Sequence, residues 1–196
     1  MRELIVAEFI TLDGVIQAPG GANEDTEGGF VHGGWTMPYW HDDIGKQFFQ
    51  TMAEAEMLLL GRRTWQTHGE AFEPMPAGDP FGDAMNSIRK IVVSTTLKSG
   101  AAWRNSTIIS RNVVNEVRKL KEGSGKNILM DGSSVLIHTL AENDLVDDYM
   151  LHVYPLVLGS GKRLFPEGKR TNLKLIESRA LPYMVHRAAL HAITTQ

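Results

Sequence analysis

Short apolar runs separated by polar stretches recur along the chain and set its predicted strands. Residues 3–10 (ELIVAEFI) form the first run, with Glu8 as a charge inside it, and MLLL at 57–60 forms the second. Runs of this length, bounded by turn residues, are typical of buried strands. The strands predicted in this way are 3–10, 57–60, 91–95, 106–110 and 127–130.

Segments with apolar residues at helical spacing lie between these strands and predict helices. Residues 42–56 carry one apolar stripe and residues 112–122 carry another, with Asn112 as a predicted N-cap. A further helix is predicted to begin after Gly61, where a buried run gives way to polar residues. The apolar stretch at 135–143 predicts another helix.

The last quarter of the chain is rich in predicted strands. One strand is predicted within 146–158, where Pro155 interrupts or ends it, and two more near 172–178 and 183–192. The earlier alternation of strands and helices favours a mainly parallel sheet with helices on both faces. We therefore expect one α/β domain over residues 1–196, with a mixed, mostly parallel sheet and an antiparallel C-terminal edge.

Composition and charge exclude several classes of function. The 196 residues include 20 Lys and Arg against 23 Asp and Glu, which gives a net charge of −3. Since no long basic run exists, we expect no nucleic-acid partner. The chain has no cysteine, which excludes disulfides, Cys-ligated zinc, iron–sulfur clusters and a thiol nucleophile. No histidine pair has the spacing of a zinc-binding helix, so no metal is expected.

The N-terminal sequence does not resemble a targeting segment. Its apolar stretch is short and carries Glu8, unlike the core of a secretory signal. The longest other apolar run, at 57–60, is far too short to span a bilayer. We expect a cytoplasmic protein with no membrane partner.

The first strand-to-helix junction, GRRT at 61–64, places two cations at a helix start. Ligands bind at the carboxyl ends of strands in such sheets, and helix N-termini there present free N–H groups to phosphate. Arg62 and Arg63 slightly disfavour the helix because its N-terminal end is already positive, which makes sense if an anion binds between them. The alternative is an exposed basic turn.

The second junction, DGSS at 131–134, consists of small and polar residues. The N–H groups of Gly132, Ser133 and Ser134 would open toward a phosphate. The alternative is an ordinary N-cap, in which Asp131 or Ser133 caps the following helix.

Three further candidate residues lie in or at the end of predicted strands. Ser94 and Thr95 end the third run, where hydroxyls can bind a phosphate but are also ordinary in turns. Glu8 is either a charge at a sheet edge or a buried carboxylate. In the second case it is a candidate proton donor with a raised pKa.

Two long loops interrupt this pattern. The Pro- and Gly-rich stretch at 74–82 predicts an ordinary loop. Residues 19–34 form a loop rich in Gly and acid, and long loops in compact domains are usually functional or disordered. Trp35, Tyr39 and Trp40 follow at once. They cover either a ligand or the edge of the core.

Taken together, these motifs resemble dihydrofolate reductase. They more closely resemble the dihydrofolate-reductase-like family that includes the reductase domain of riboflavin biosynthesis, the C-terminal domain type. The resemblance covers nearly the whole chain. The stretches that carry it are TLDGVI (11–16), LLLGRRTW (58–65), IVVST (91–95), DGSSVLIHTL (131–140) and LVDDYMLHVYPLVLGSGKRLF (145–165).

The resemblance implies NADPH as the cofactor. Arg62 and Arg63 would pair with its 2′-phosphate, which favours NADPH over NADH. Ile16 would lie beside the nicotinamide, and Asp131 departs from the usual Gly-Gly pair of the pyrophosphate turn. The residues assigned to the cofactor are Ile16, Gly61, Arg62, Arg63, Thr64, Ser94, Thr95, Gly132, Ser133 and Ser134.

The resemblance also implies a mobile segment over the active site, at residues 17–40, which we call the lid. Trp35, Trp40 and Phe49 are the candidate substrate contacts. In dihydrofolate reductase an acidic residue one turn before the equivalent of Phe49 binds the pterin. That position is Gly45 here, so dihydrofolate is not the expected substrate.

The expected function is NADPH-dependent reduction of a small heterocyclic substrate, as in 5-amino-6-(5-phosphoribosylamino)uracil reductase. The alternative is a protein of the same fold that binds a nucleotide or a pterin-like ligand without turnover. Asp131 and the missing carboxylate at Gly45 support this alternative. The catalytic residues are unknown, with Glu8 and Asp43 as candidates. The resemblance also implies a homodimer, for which the apolar stretch 154–158 is a candidate interface.

Overall fold

Eight strands form a sheet at the centre of the described molecule, and five helices pack against it. The computed structural model describes residues 1–181 and 186–193. The strands are β1 (Leu4–Thr11), β2 (Ala55–Gly61), β3 (Arg89–Val93), β4 (Ser106–Ile109), β5 (Asn127–Met130), β6 (Asp148–Tyr154), β7 (Leu173–Ala180) and β8 (His186–Ala192). The helices are α1 (Asp42–Ala53), α2 (Arg62–Phe72), α3 (Pro80–Ser87), α4 (Val113–Glu122) and α5 (Ser134–Ala141).

The strand order confirms the predicted fold class. Across the sheet the order is β4-β3-β2-β5-β1-β6-β8-β7. The strands from β4 to β6 are parallel, whereas β8 is antiparallel to both β6 and β7. Because β5 inserts between β1 and β2, the carboxyl ends of these three strands lie side by side. Such a crevice is where open α/β sheets bind ligands.

Side chains that alternate between the two faces of the sheet divide the apolar core into two layers. In β1, Leu4 and Val6 pack with α4 and α5, whereas Ile5 packs with α1, α2 and α3. Residues on successive positions of a strand point to opposite faces, so both faces of this sheet need covering. The helices therefore lie on both faces, as predicted.

The predicted loop over 74–82 is wrong at its end, because α3 begins at Pro80. Asp79 caps this helix by accepting a hydrogen bond from the Gly82 N–H at 2.8 Å, and Pro80 occupies its first turn. The helix is only 8 residues long and includes Gly82 and Asn86, which have low helix propensity. Its apolar residues, Phe81, Ala84 and Met85, span little more than one turn, which is too short a stretch to predict a helix.

Other boundaries agree with the predictions to within a few residues. Helix α1 ends at Ala53, and β2 begins earlier than predicted, at Ala55. Asn112 precedes α4 as predicted, but its φ is 51° and its side chain makes no cap hydrogen bond. Pro155 directly follows β6 and so ends the strand. The predicted start of the last strand, at 183–185, lies outside the described residues.

The stretch 154–158, a candidate dimer interface, is partly used within the chain. Tyr154 is fully buried, and Leu156 and Leu158 pack against the same apolar cluster. Val157 is exposed. The homodimer stays a prediction.

Lys90, in β3, is a cation inside the core. It is fully buried, and its Nζ donates hydrogen bonds to the Asn86 and Arg104 carbonyls, both at 3.0 Å. The same nitrogen lies 4.4 Å from the centre of the Trp103 ring. Burial, with a smaller contribution from Arg104, lowers the pKa of Lys90 to about 8.

We expect Lys90→Met to remove a pH dependence of stability. Between pH 8 and pH 10.5 the folded protein binds fewer protons at Lys90 than the unfolded chain does, so the wild-type free energy of unfolding rises with pH there. The expected gain across that window is about 2 kcal/mol. Urea unfolding at both ends of the window measures it. Lys98→Met, at an exposed lysine, is the control and should keep the wild-type dependence of the free energy of unfolding on pH. If Lys90→Met also kept that dependence, the prediction would be contradicted.

Candidate active site

The two predicted strand-to-helix junctions lie in contact at the carboxyl edge of the sheet. The Ser133 hydroxyl accepts a hydrogen bond from the Gly61 N–H at 2.8 Å and donates one to Thr64 Oγ1 at 2.8 Å. Gly132 has a φ of +54°, and a Cβ on it would lie 2.9 Å from the Thr64 side chain. The sequence motifs GRRT and DGSS therefore form one compact structure.

Ser133 does not act as the helix cap that was one alternative for this turn. It occupies the N-cap position of α5, but its side chain makes no cap hydrogen bond, because the hydroxyl reaches across to α2. Gly61, at the N-cap of α2, has no side chain to offer. Two helix N-termini without side-chain caps thus meet, which is the arrangement that binds anions.

Asp131 does not cap α5 either. Its Oδ2 lies 2.9 Å from His68 Nε2 on α2, and its other oxygen is buried with no hydrogen-bond partner among the described residues. Burial alone would lower the pKa of His68, but the charge and hydrogen bond of Asp131 outweigh burial and raise it. The contact with His68, whose charged form Asp131 favours, therefore offsets part of the negative charge beside the turn, which reduces the repulsion of a bound phosphate.

The two arginines of α2 differ in what they contact. Arg62 Nη1 donates to the neutral Gln66 side chain at 2.8 Å. Arg63 Nη1 instead forms an ion pair with Glu27 of the lid. Arg62 therefore keeps an uncompensated charge next to the two helix N-termini, whereas the charge of Arg63 is already paired.

Ser94 and Thr95 lie where predicted, after β3, but Ser94 is used within its own turn. Its hydroxyl accepts hydrogen bonds from the Thr96 and Leu97 N–H groups at 3.2 Å and 3.0 Å. The side chain is buried, and Thr95 is exposed. This agrees with the turn alternative for Ser94 and leaves Thr95 as the accessible hydroxyl.

Lys162 fastens the lid to the rest of the protein. Its Nζ lies 2.5 Å from Asp25 and 2.6 Å from Glu27, and its N–H donates to the Gln17 side chain at 2.9 Å. Its carbonyl accepts from the Ile16 N–H at 2.9 Å. Ile16, assigned to the nicotinamide side of the site, is thus held at the base of the lid.

Glu27 is shared between the lid and the predicted phosphate site. Hydrogen bonds from Lys162 and then Arg63 lower its pKa to about 2. It is therefore ionised throughout the physiological pH range. A carboxylate on Arg63 competes with any phosphate that binds the same guanidinium.

We expect Glu27→Gln to strengthen the binding of a phosphate-bearing ligand at Arg63 by about twofold to fivefold, the range of an exposed ion pair. The variant removes the anion that competes for Arg63. Calorimetric titration with NADPH at low salt measures the change. Glu142→Gln removes a similarly exposed carboxylate that pairs with Lys169 far from the site, and it should leave the affinity unchanged. Weaker binding to Glu27→Gln would contradict the competition.

Glu8 is a buried carboxyl group in the middle of the sheet. It is 6% exposed, and its Oε1 has no hydrogen-bond partner among the described residues. Burial, followed by the charge of Asp131, raises its pKa well above the ordinary value, although a hydrogen bond from the Gly132 backbone opposes the shift. Of the two alternatives for Glu8, the structure supports the buried carboxyl.

Asp43, the other catalytic candidate, is in a different environment. It lies in the first turn of α1, about two-fifths exposed, and pairs with Lys46 at 2.9 Å. The hydrogen bond from Lys46 lowers its pKa. A proton is therefore held more readily at Glu8 than at Asp43.

An aromatic cluster lies under the lid. The Trp35 ring is buried and donates a hydrogen bond to the Gln17 carbonyl at 2.8 Å. Three rings approach Tyr154 edge-on, with centroids at 5.3 Å (Trp35), 5.6 Å (Phe9) and 5.7 Å (Tyr39). Of the two alternatives for Trp35, covering a ligand or covering the edge of the core, the structure supports the second. The ring packs where β1 and β6 meet.

Trp40 and Phe49 belong to a second cluster, between α1 and α3. The Phe81 ring lies 4.7 Å from Phe49 and 6.4 Å from Trp40. A Cβ on Gly45 would lie 3.5 Å from Phe81 and 3.8 Å from Trp40. The structure therefore brings Trp40 and Phe49 together but groups Trp35 with Tyr154.

The comparison with known families decides the assignment. The sequence matches the RibD C-terminal domain over residues 2–186. The chain belongs to the RibD C-terminal domain family. A relative from Bacillus subtilis (strain 168), "Uncharacterized protein YyaP", is 29% identical to this chain over 194 residues. The match covers 97% of this chain and 95% of that protein.

Solved structures share the fold of this RibD C-terminal domain. A Shewanella sp. PV-4 protein, provisionally named a riboflavin biosynthesis protein, has a TM-score of 0.69 at 19% identity, covering 98% of this chain and 99% of its own. Enterococcus faecalis dihydrofolate reductase, solved with NADP(H) and RAB-propyl, has a TM-score of 0.62 at 16% identity, covering 97% and 96%. At these identities the likeness shows the fold alone.

The described residues of this RibD C-terminal domain contain neither a membrane-spanning helix nor a metal-site cluster. No described helix is long and apolar enough to cross a membrane. Within residues 1–181 and 186–193, no group of three or more His, Asp or Glu side chains has the arrangement of a metal site.

Two groups in the site were missed at the sequence level. His68 was assigned no role, although it pairs with Asp131. His152 lies inside the apolar pattern of β6, and its Nε2 is buried with no partner among the described residues. Its place between Met150 and Tyr154 in an alternating strand was the available signal.

Proposed function

We propose that this chain is an NADPH-dependent reductase of a small heterocyclic substrate, acting on a C=N or C=O group. The model reaction is that of 5-amino-6-(5-phosphoribosylamino)uracil reductase. Membership of the RibD C-terminal domain family supports a reductase of the riboflavin or dihydrofolate-reductase type. The observation that carries the proposal is the Ser133 bridge, which holds two uncapped helix N-termini together beside Arg62.

The residues at this edge fit the phosphates of a dinucleotide. The absence of a side chain at Gly132 leaves the backbone open to close approach, and the first N–H groups of α2 and α5 point to the same edge. Arg62 would bind the 2′-phosphate, since a guanidinium matches phosphate geometry. NADPH, when bound, supplies the hydride.

The protein's own contribution is to hold a proton and exclude water. The raised pKa of Glu8 lets this carboxyl keep a proton where an ordinary glutamate would be ionised. Lys162, through Asp25 and Glu27, keeps the lid closed over the aromatic cluster. Closing such a segment excludes water from the reacting groups.

Oxidation of NADPH in the presence of a panel of pyrimidine, pterin and related heterocycles tests the proposal. We expect oxidation with at least one of them and none without substrate. Tight binding of NADPH without oxidation would favour the alternative of a ligand-binding protein. Absence of any NADPH binding would contradict the reductase and would restrict the alternative to a pterin-like ligand, because NADPH and other nucleotides use the same phosphate site.

A further inference from the structure

A row of side chains crosses four strands on the face of the sheet that α1 covers. Phe9 of β1 pairs with His152 of β6, His152 with Arg187 of β8, and Arg187 with Arg179 of β7. Residues directly opposite each other on paired strands point to the same face. Met150, on the same face of β6, accepts a hydrogen bond from Thr51 of α1, which places the row beneath that helix.

Arg187 has hydrogen-bond donors that the described protein leaves unused. Its Nη1 donates a hydrogen bond to Glu177 at 2.8 Å, but among the described residues its Nη2 reaches only the Met150 sulfur, at 3.5 Å. Its Nε is buried with no partner in the described chain. A guanidinium carries five N–H donors, and sulfur is a weak acceptor. This cation therefore has donors left for a stronger acceptor.

His152 and Tyr154 add two more unused polar atoms on the same face. His152 Nε2 and Tyr154 Oη are buried, and neither has a partner among residues 1–181 and 186–193. A buried polar group without a partner destabilises the folded protein, because it has lost its hydrogen bonds to water. Three such groups on adjacent strands indicate that a ligand completes this part of the site.

The electrostatics of this region favour a negative ligand. Burial, and then the charges of Arg187 and Arg179, lower the pKa of His152 to about 4. Both charged groups that act on His152 are thus cations. Glu177 compensates Arg187 in part, but this carboxylate is about half exposed.

Aromatic rings form the adjoining wall. The Phe9 ring lies 5.5 Å from His152 and 5.6 Å from Tyr154, edge-on in both cases. Tyr39, which also contacts Tyr154, belongs to the lid and is not fully buried. A flat ligand can replace Tyr39 against these rings when the lid moves, because aromatic faces and edges attract one another.

We propose that Arg187, His152 and Tyr154 bind the oxyanion-bearing end of an aromatic or heteroaromatic substrate, and that Arg187 determines the specificity for that end. This inference rests on the proposed function, since it assigns the substrate side of the same site. The recognised group is a hydrogen-bond acceptor with negative charge, a carboxylate or a phosphate. A substrate that presents only hydrogen-bond donors to Arg187 is disfavoured.

Calorimetric titration with benzoate, phenyl phosphate and the neutral benzyl alcohol tests the proposal without NADPH. We expect at least one anion to bind at least tenfold more tightly than benzyl alcohol, and the two anions tell carboxylate from phosphate. Arg187→Gln should abolish this preference. Arg62→Gln should keep it, because Arg62 lies at the phosphate site. If Arg62→Gln abolished the preference and Arg187→Gln kept it, the anion would bind at the phosphate site and the proposal would be overturned. Equal binding of all three probes would also overturn it.

A second measurement covers the case in which Arg187→Gln does not fold. The imidazole NMR signal of His152 in the wild-type protein, identified by its loss in His152→Gln, should shift with the anion and not with benzyl alcohol. An unmoved signal at saturating anion overturns the proposal. Failure of NADPH to bind or to be oxidised, with these shifts intact, would contradict only the proposed reductase.

Discussion

Arg62→Ala is expected to weaken NADPH binding by about tenfold to hundredfold, the range of one charge-assisted pair with phosphate. The same change should leave NADH binding nearly unaltered, because NADH lacks the 2′-phosphate. Arg62 is the cation of the GRRT motif whose side chain binds only a neutral amide, Gln66. Calorimetric titration of the wild type and Arg62→Ala with NADPH and with NADH measures the preference for NADPH directly.

Arg118→Ala is the matched control for this change. Arg118 also lies on a helix and donates to a neutral amide, Asn115, but it is far from the carboxyl edge of the sheet. It should bind NADPH and NADH as the wild type does. If Arg62→Ala weakens both nucleotides equally, Arg62 contacts a part that they share, and the assignment to the 2′-phosphate is wrong.

Gly132→Ala is expected to destabilise the protein by about 2–4 kcal/mol and to abolish NADPH binding. The new methyl group would lie 2.9 Å from Thr64, and the φ of +54° strains any residue with a side chain. The two junctions would have to separate, which moves both helix N-termini. Urea unfolding and NADPH titration measure the two effects.

The destabilisation by Gly132→Ala has two sources, the clash with Thr64 and the strained backbone, and these can be separated. Gly168 has a φ of +75° with nothing within 4 Å of a Cβ, so Gly168→Ala should cost only about 1 kcal/mol. Adding Thr64→Ala to Gly132→Ala removes the atoms in contact and should restore part of the stability. Equal costs for Gly132→Ala and Gly168→Ala would contradict the close approach of the junctions.

The sheet could be predicted from the sequence because its signals are local. Apolar runs of four to eight residues mark β1, β2 and β5, and the helical stripe marks α1. Pro155 marks the end of β6 in the same way. Helix α3 was missed because it is only 8 residues long and begins inside the Pro- and Gly-rich stretch, after the cap Asp79.

The site was predictable in its positions but not in its contacts. Residue type and place at a helix start made Ser133 a plausible cap, yet its hydroxyl bonds Thr64, 69 positions earlier. The pairing of Arg63 with Glu27 and of Lys162 with Asp25 also joins residues distant in sequence. Such pairs depend on tertiary geometry, which periodicity does not encode.

The fastening of the lid by Lys162 also constrains the order in which the chain can fold. The Gln17 side chain and Lys162 are 145 positions apart, and so are Asp13 and Leu158, which are also hydrogen-bonded. During synthesis the lid leaves the ribosome early, yet its anchors emerge only near the end of the chain. The lid can therefore be fastened only after residue 162 has emerged, and a nascent chain that ends before residue 162 would leave this acidic segment open to proteolysis.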